Sequence, residues 1–322
     1  MKILVTGGAG YIGSITSQQL IQQGHEVVIY DSLEKGHREA VGDLKLVIGK
    51  TQDDKLLAKT MAEEKIEAVI HFAAYIEMAE SMKDPHKYFY NNVYGSLQLF
   101  KAMVQAGVNK IVFSSTAGVY GNPTRIPIKE DDPKNPTNPY GESKLMVEKM
   151  LAWFDKIHNS KFISLRYFNA AGATLDGKLG EDHHPESHLI PNLIQTALGK
   201  NKEFILYGTD YKTKDGTCIR DYIHVLDLAQ AHILALQALE NGHKSDIYNI
   251  GIGQGFSNKE VLEMVKKVSG VDFKVKIGPR RPGDANELVA DSSKLKKDLG
   301  WQPKYSDLET IVKTALNWHK NV

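Results

Sequence analysis

Six short, β-branched runs in the first 168 residues constrain this chain more than any other feature. They are KILVT (Lys2 to Thr6), EVVIY (Glu26 to Tyr30), LKLVI (Leu44 to Ile48), AVIHFAA (Ala68 to Ala74), KIVFSS (Lys110 to Ser115) and FISLRYF (Phe162 to Phe168). Each is nearly continuous in apolar residues, as strands covered on both faces must be. Between them lie segments such as Tyr11 to Gln23 and Tyr88 to Ala106, with apolar positions near helical spacing. Strand and helix in alternation predict a parallel sheet joined by right-handed crossovers. After about Phe168 the rhythm changes, loops lengthen, and Gly and His gather between 172 and 188. DIYNIG (Asp246 to Gly251) still reads as a strand, and Ser257 to Val268 as a helix begun by a serine cap. We expect a first unit over 1–168 and a smaller α/β unit over 169–322, with segments of the second returning to the first.

The first strand runs directly into TGGAGYIG. Gly8, Gly10 and Gly13 fit G-x-G-x-x-G, while Gly7, Gly10 and Gly13 fit the wider G-x-x-G-x-x-G spacing. Without Cβ atoms, such a turn lets backbone approach a pyrophosphate, which the following helix N-terminus attracts. The motif alone is weak, but here it follows a strand and opens a helix. The expected fold is therefore a Rossmann-type, doubly wound parallel sheet with a smaller C-terminal α/β substrate domain. EVVIYD then ends in Asp31, whose carboxylate can accept both hydroxyls of an adenosine ribose and repels a 2′-phosphate. That favours NAD over NADP, although the cations Lys35 and Arg38 stand nearby.

NPYGESK, Asn138 to Lys144, places Tyr140 and Lys144 one helical turn apart on one face. A phenol with a pKa of about 10 is a poor base at neutral pH. A neighbouring ammonium and a positively charged nicotinamide both favour the phenolate. Tyr140 is thus a candidate base for an alcohol whose carbon gives up hydride, and Lys144 its tuner and a partner for the nicotinamide ribose. Ser114, Ser115 and Thr116 end the fifth strand at the edge where open α/β sheets bind ligands. Of the three we assign the proton relay to Thr116. The set describes alcohol–ketone hydride chemistry.

In these residues the chain resembles the extended short-chain dehydrogenase/reductase superfamily, and within it the nucleotide-sugar 4-epimerases. The strings VIHFAA, YFYNNVYGS, FSSTAGVYG, LRYFNAAG, GTCIRDYIHV, YNIG and PRRPGDANELVAD carry the resemblance from Met1 to about Trp318. It implies interconversion of UDP-galactose and UDP-glucose, a step of galactose metabolism, by inversion at C4 through a transient 4-keto sugar and retained NADH. It also implies the roles of Tyr140, Thr116 and Lys144 given above. For NAD it implies Gly7, Gly10, Tyr11, Ile12, Gly13 and Asp31 at the adenosine half. Phe72, Ala73, Ala74, Asn91, Ser114 and Tyr167 would line the rest, with Tyr140 and Lys144, and Phe168 would back the nicotinamide. For a UDP-sugar it implies Asn169, His188, Leu189, Ile205 and Tyr207, then Arg220, Arg281 and Asp284, besides Thr116. A diphosphate needs cations, and guanidinium groups match its geometry, which independently supports the two arginines.

Some positions depart from that pattern. Lys50 stands where many relatives carry an Asp reaching adenine, and Ile76 where some have lysine. His188 stands where others have Asn. Leu288 is intermediate between the large residue of some relatives and the small one of those that accept N-acetyl sugars, so UDP-N-acetylhexosamine tolerance stays open. A 4,6-dehydratase on this scaffold would want Asp and Glu after the threonine, where Ala117 and Gly118 stand. A UDP-uronate enzyme would want a basic contact at C6. A non-catalytic NAD-binding module would lack the tyrosine and lysine that are present here.

Charge excludes other partners. Lys plus Arg number 40 against 39 for Asp plus Glu, so a net +1 makes no electrostatic case for nucleic acid or a membrane surface. One cysteine, Cys218, allows no internal disulfide. No stretch approaches ~18 consecutive apolar residues. A cytoplasmic protein is expected, and the resemblance implies a homodimer. DHHPESH, with His183, His184 and His188, has no helical context for H-H-x-x-x-H and reads as a substrate-domain loop, not a metal site.

Overall fold

In the computed structural model, which describes residues 1–281 and 284–322, all seven expected strands form. Pro282 and Gly283 of the PRRPGD string lie outside the described residues. β1 (Lys2–Thr6), β2 (Glu26–Asp31), β3 (Lys45–Ile48), β4 (Ala68–His71), β5 (Lys110–Ser114), β6 (Lys161–Tyr167) and β7 (Asp246–Ile250) make one parallel sheet. Its order is β7-β6-β5-β4-β1-β2-β3. The chain therefore winds outward in both directions from β1 and β4, and a crevice opens beyond their carboxyl ends.

Burial explains the unbroken apolar runs. Side chains alternate across a strand, so Ile3 and Val5 face one layer and Leu4 the other. The first layer holds α1 (Tyr11–Gln22) and a helix from the second half of the chain, Val225–Glu240. Leu20, Leu228 and Leu236 pack there with Ile29, Ile70 and Val112. The opposite layer holds α2 (Asp54–Glu63), α3 (Gly95–Ala106) and α4 (Pro139–His158), whose Leu57, Leu99 and Val147 meet Leu4, Val69 and Phe113. Each fully buried aliphatic side chain stabilises by roughly 1.5–3 kcal/mol, which is why both faces had to be apolar.

The structure differs from the simple reading in two places, and each difference shapes the crevice. Tyr88 to Ala106 is not one regular helix, because a π-helical turn over Phe89–Tyr94 precedes α3. The wider turn carries Asn92 inward, where its Oδ1 accepts from Tyr75 N at 2.9 Å and its Nδ2 donates to Ser143 Oγ at 3.0 Å. Such insertions recur where a helix must re-aim side chains, and here the adjacent Asn91 reaches the cavity wall. The run AVIHFAA likewise leaves the ladder after His71. Phe72 and Ala73 both donate their N–H to Thr6 O, at 2.9 and 3.1 Å, and Phe72 to Ala74 become wall.

The second half adds a small mixed sheet of Asn169–Ala171, Ile219–His224, Gly255–Ser257 and Glu287–Leu288, and a parallel pair, Phe204–Tyr207 with Val275–Gly278. Helices Leu189–Ala197, Asn258–Ser269 and Leu308–Asn321 close a separate core around Leu193, Val261 and Ile311. Ser257 caps its helix through a reciprocal pair of bonds with Glu260.

Candidate active site

A cavity of about 940 Å³ lies at the carboxyl edge of the large sheet, walled on its far side by loops of the second half. The glycine loop forms its floor. Gly7 has φ +73°, and a Cβ there would stand 2.6 Å from Ala73 N; one on Gly13 would stand 2.2 Å from Gly7 O. Backbone is thus bare where a pyrophosphate would lie. Gly10 leaves the N-terminus of α1 without a side-chain cap, so its first N–H groups face the cavity uncontested. Asp31 is buried at the tip of β2 and accepts from Ala9 N at 3.0 Å and Leu33 N at 2.8 Å, which holds its carboxylate at the cavity rim. These features fit a dinucleotide. Lys50 pairs with Glu34 at 3.3 Å, and the Tyr75 hydroxyl bonds the same carboxylate, so an ion pair occupies the edge where an acid was absent. Ile76 lies at the rim.

The catalytic candidates come from the start of α4. Asn138 begins that helix, its Oδ1 accepting from Gly141 N at 2.9 Å, and Pro139 suits the first turn. Tyr140 then faces the cavity beside Thr116. Burial drives the Tyr140 pKa upward, with Tyr167 adding to the rise and a hydrogen bond from Thr116 opposing it. The three hydroxyls of SST separate by alternation. Ser114 Oγ lies 2.8 Å from Tyr167 OH, Ser115 Oγ donates to Glu148 at 2.6 Å beneath the sheet, and Thr116 lines the cavity. Lys144 lies just under the wall and not on it: its Nζ donates to Ser114 O at 2.8 Å and sits 4.9 Å from the Phe113 ring. Burial lowers its pKa to about 7 while the nearby Glu148 carboxylate works the other way.

Reading the sequence missed what anchors this helix. Glu148 and Arg166 form a bidentate pair, 2.9 Å at Nε and 2.5 Å at Nη2, with side chains only 3% and 2% exposed. Arg166 Nη1 also donates to Tyr120 OH at 2.8 Å, which donates to Asn249 Oδ1 at 2.7 Å. The network ties α4 to β6 and β7. Its signal was available as a third member of the face, since Tyr140, Lys144 and Glu148 recur every four residues. Breaking such a buried pair costs about 3–5 kcal/mol.

On the far wall stand Asn169, His188, Leu189, Arg220, Asp284 and Leu288. Arg220 is held from behind: Nη1 donates to Ile219 O and Ala285 O, both at 2.9 Å, and Nη2 lies 3.7 Å from Asp284. Ile205, Tyr207 and Arg281 are grouped apart from the cavity wall, with Arg281 over the Tyr207 ring at 4.9 Å. Of the expected nucleotide contacts, Gly7, Gly10, Tyr11, Ile12, Gly13, Asp31, Phe72, Ala73, Ala74, Asn91, Tyr140, Tyr167 and Phe168 line the cavity, while Ser114 and Lys144 lie directly behind it. His188 does not stand alone. Its Nδ1 bonds the buried Glu181 carboxylate, which also lies 3.2 Å from His183 Nδ1, and Glu186 closes the group. Burial disfavours the His188 charge, but Glu181 outweighs it and lifts the pKa to about 9.

A dinucleotide crevice with a tyrosine and a threonine facing it defines a class. The chain belongs to the NAD dependent epimerase/dehydratase family, whose model matches residues 3–251. More particularly, it is 52% identical over its whole length to the UDP-glucose 4-epimerase of Lacticaseibacillus casei, covering 97% of that protein. The structure of a UDP-glucose 4-epimerase from Brucella ovis in complex with NAD is 44% identical and superposes with a TM-score of 0.96, over 98% of this chain and 97% of that one. The Bifidobacterium longum UDP-glucose 4-epimerase in complex with NAD+ and UDP gives 0.94 at 38% identity, over 100% and 98%.

Proposed function

We infer that this chain interconverts UDP-galactose and UDP-glucose by inverting C4 of the hexose, with NAD kept in the site. The observation that carries the reading is the single cavity in which Tyr140 and Thr116 stand between the glycine loop and the Arg220–His188 wall, in a chain half-identical from end to end to a UDP-glucose 4-epimerase. NAD, held along Gly7 to Gly13 and by Asp31, supplies a reversible hydride acceptor.

The chain's residues do the rest. Tyr140 takes the O4 proton, with Thr116 as relay. Burial opposes the phenolate, so a positive charge must offset it, and Lys144 one turn along is the chain's own source. Arg220, on the strand Ile219–His224, supplies a cation, and His188, at the start of the helix Leu189–Ala197, a ring N–H; together they grip the diphosphate of UDP. Binding energy placed on that remote group leaves the sugar loosely held. A 4-keto sugar can then turn about its diphosphate linkage and present its other face before Tyr140 returns the proton.

The test is UDP-galactose deuterated at C4. Conversion to UDP-glucose with the label retained at C4 is expected; loss of label to water would contradict the reading, and a different product would redirect it to another nucleotide-sugar epimerase.

We read 1–168 as the NAD-binding unit and 169–322 as mainly the UDP-sugar unit, with Val225–Glu240 and β7 returned to the large sheet. A cytoplasmic homodimer is our reading of the assembly. Supporting it, α3 and α4 leave Leu97, Val104, Met146, Trp153 and Ile157 exposed, with Trp153 at 61%. Among the described residues no helix is long and apolar enough to cross a membrane. Light scattering of the chain and of Trp153→Glu checks the dimer.

A further inference from the structure

The loop from Glu181 to His188 brings four metal-ligating side chains to one point. One donor atom each from Glu181, His183, Glu186 and His188 lies within 4.8 Å of all the others. We propose that these four residues hold a divalent transition ion of the zinc class.

Geometry is the first argument. Zn–N and Zn–O bonds of about 2.0–2.2 Å in a tetrahedron set neighbouring donors about 3.3–3.6 Å apart. Here His183 Nδ1 is 3.2 Å from Glu181 Oε1 and 4.0 Å from Glu186 Oε1, and His188 Nδ1 is 3.8 Å from Glu186 Oε1. The two imidazole rings meet nearly edge to face, with centroids 5.4 Å apart and planes at 70°, so that both Nδ1 atoms approach the same carboxylates. The remaining contact, Glu181 with His188, opens by rotation of the His188 ring, whose side chain is 45% exposed.

The second argument is an unmet need. Glu186 Oε1 accepts from Ser187 N and His188 N, at 2.7 and 2.8 Å, but Oε2 on the same carboxylate is buried without any partner. The side chain is only 4% exposed. A buried carboxylate oxygen with no donor is costly, and an ion that takes this carboxylate through Oε2 would remove the deficit.

The donor set narrows the ion. Two imidazoles and two carboxylates suit Zn2+, Co2+ or Ni2+ better than Mg2+ or Ca2+, which prefer oxygen alone. The backbone that carries two of the ligands is also held from outside. Trp318 Nε1 donates to Glu181 O at 2.9 Å, and Asn192 Nδ2 to His188 O at 2.8 Å. The pattern is E-x-H-x-x-E-x-H, and counting histidines alone hid it. An ion there would pin the loop that carries His188 and Leu189 to the cavity wall.

The experiment uses the untagged full chain with its nucleotide retained. After incubation with zinc sulfate and gel filtration, elemental analysis should find about one zinc per chain, and Co2+ should give the intense visible bands of four-coordinate cobalt. In His183→Ala and in the near-isosteric Glu186→Gln, the Kd for Co2+ should rise at least ~10-fold. Retained nucleotide and an unchanged circular dichroism spectrum show that the variants fold. Metal well below one per chain, cobalt bands absent in the wild type, or equal binding by wild type and both variants would each overturn the proposal. The cluster would then be a metal-free set of imidazolium–carboxylate pairs.

Discussion

The glycine loop and the Glu181–His188 loop face one cavity, yet they are specified in opposite ways. The first works by what it lacks. Its shape follows from missing Cβ atoms within seven residues, Gly7 to Gly13, and its anion attraction from backbone at a helix end. The second works by charged side chains whose placement depends on distant chain. Trp318 reaches Glu181 from 137 residues away, and Arg220 on the same wall is braced by Ala285, 65 residues on. A glycine loop of this kind can therefore be written in a short string, whereas the opposite wall needs the folded molecule.

That contrast can be broken at several points. The largest effect belongs to Tyr140→Phe, which stands between the two regions and should spare both. Turnover of UDP-galactose should fall by about 10²–10⁴-fold, the range for a lost general base, while bound nucleotide stays. Initial rates and the absorbance of released NAD check this, and near-normal turnover would remove Tyr140 from the mechanism.

Gly13→Ala attacks the first region alone. Its Cβ would meet Gly7 O at 2.2 Å, so overpacking should cost about 1–3 kcal/mol. Most of the nucleotide should be lost on gel filtration. Full retention would show that the loop is less strictly a matter of missing atoms than we argue.

Arg220→Leu attacks the second region. A charge-assisted hydrogen bond is worth about 1.5–3 kcal/mol, so KM for UDP-galactose should rise roughly 10–150-fold. NAD content should not change. A loss confined to kcat would place Arg220 elsewhere in the cycle.

The last effect is read in stability and not in turnover, and it concerns Lys144. Its folded pKa of about 7 lies below the ordinary 10.5. Across that window the unfolded chain binds more protons, so stability should rise as pH climbs from about 7 toward 10. Urea midpoints of wild type and Lys144→Met should converge upward with pH; a parallel pair of curves would mean that the ammonium is not desolvated.

Much of this was legible before folding. Ile3, Leu4 and Val5 announce a strand covered on both faces, and the four-residue spacing of Tyr140 and Lys144 announces one face of a helix. Local sterics and short-range periodicity decide such features, so neighbours in sequence suffice. The π-turn at Phe89–Tyr94 was not legible, because nothing local marks it; Asn92 is drawn inward by Tyr75 and Ser143, which come from two other segments. The four-residue spacing put Glu148 on the face of Tyr140 and Lys144, but its partner Arg166 was not legible, since a buried charge pair declares itself only when both members are desolvated together.

By itself, the order of residues determined a parallel sheet, its glycine-lined switch point and a tyrosine one turn from a lysine. Tertiary structure alone decided that Ser115 turns away to Glu148, that Lys144 lies behind the wall, and that two glutamates meet two histidines in one loop. Periodicity and backbone sterics act over a few residues, whereas desolvation and charge pairing depend on which distant groups the fold brings within a few ångströms.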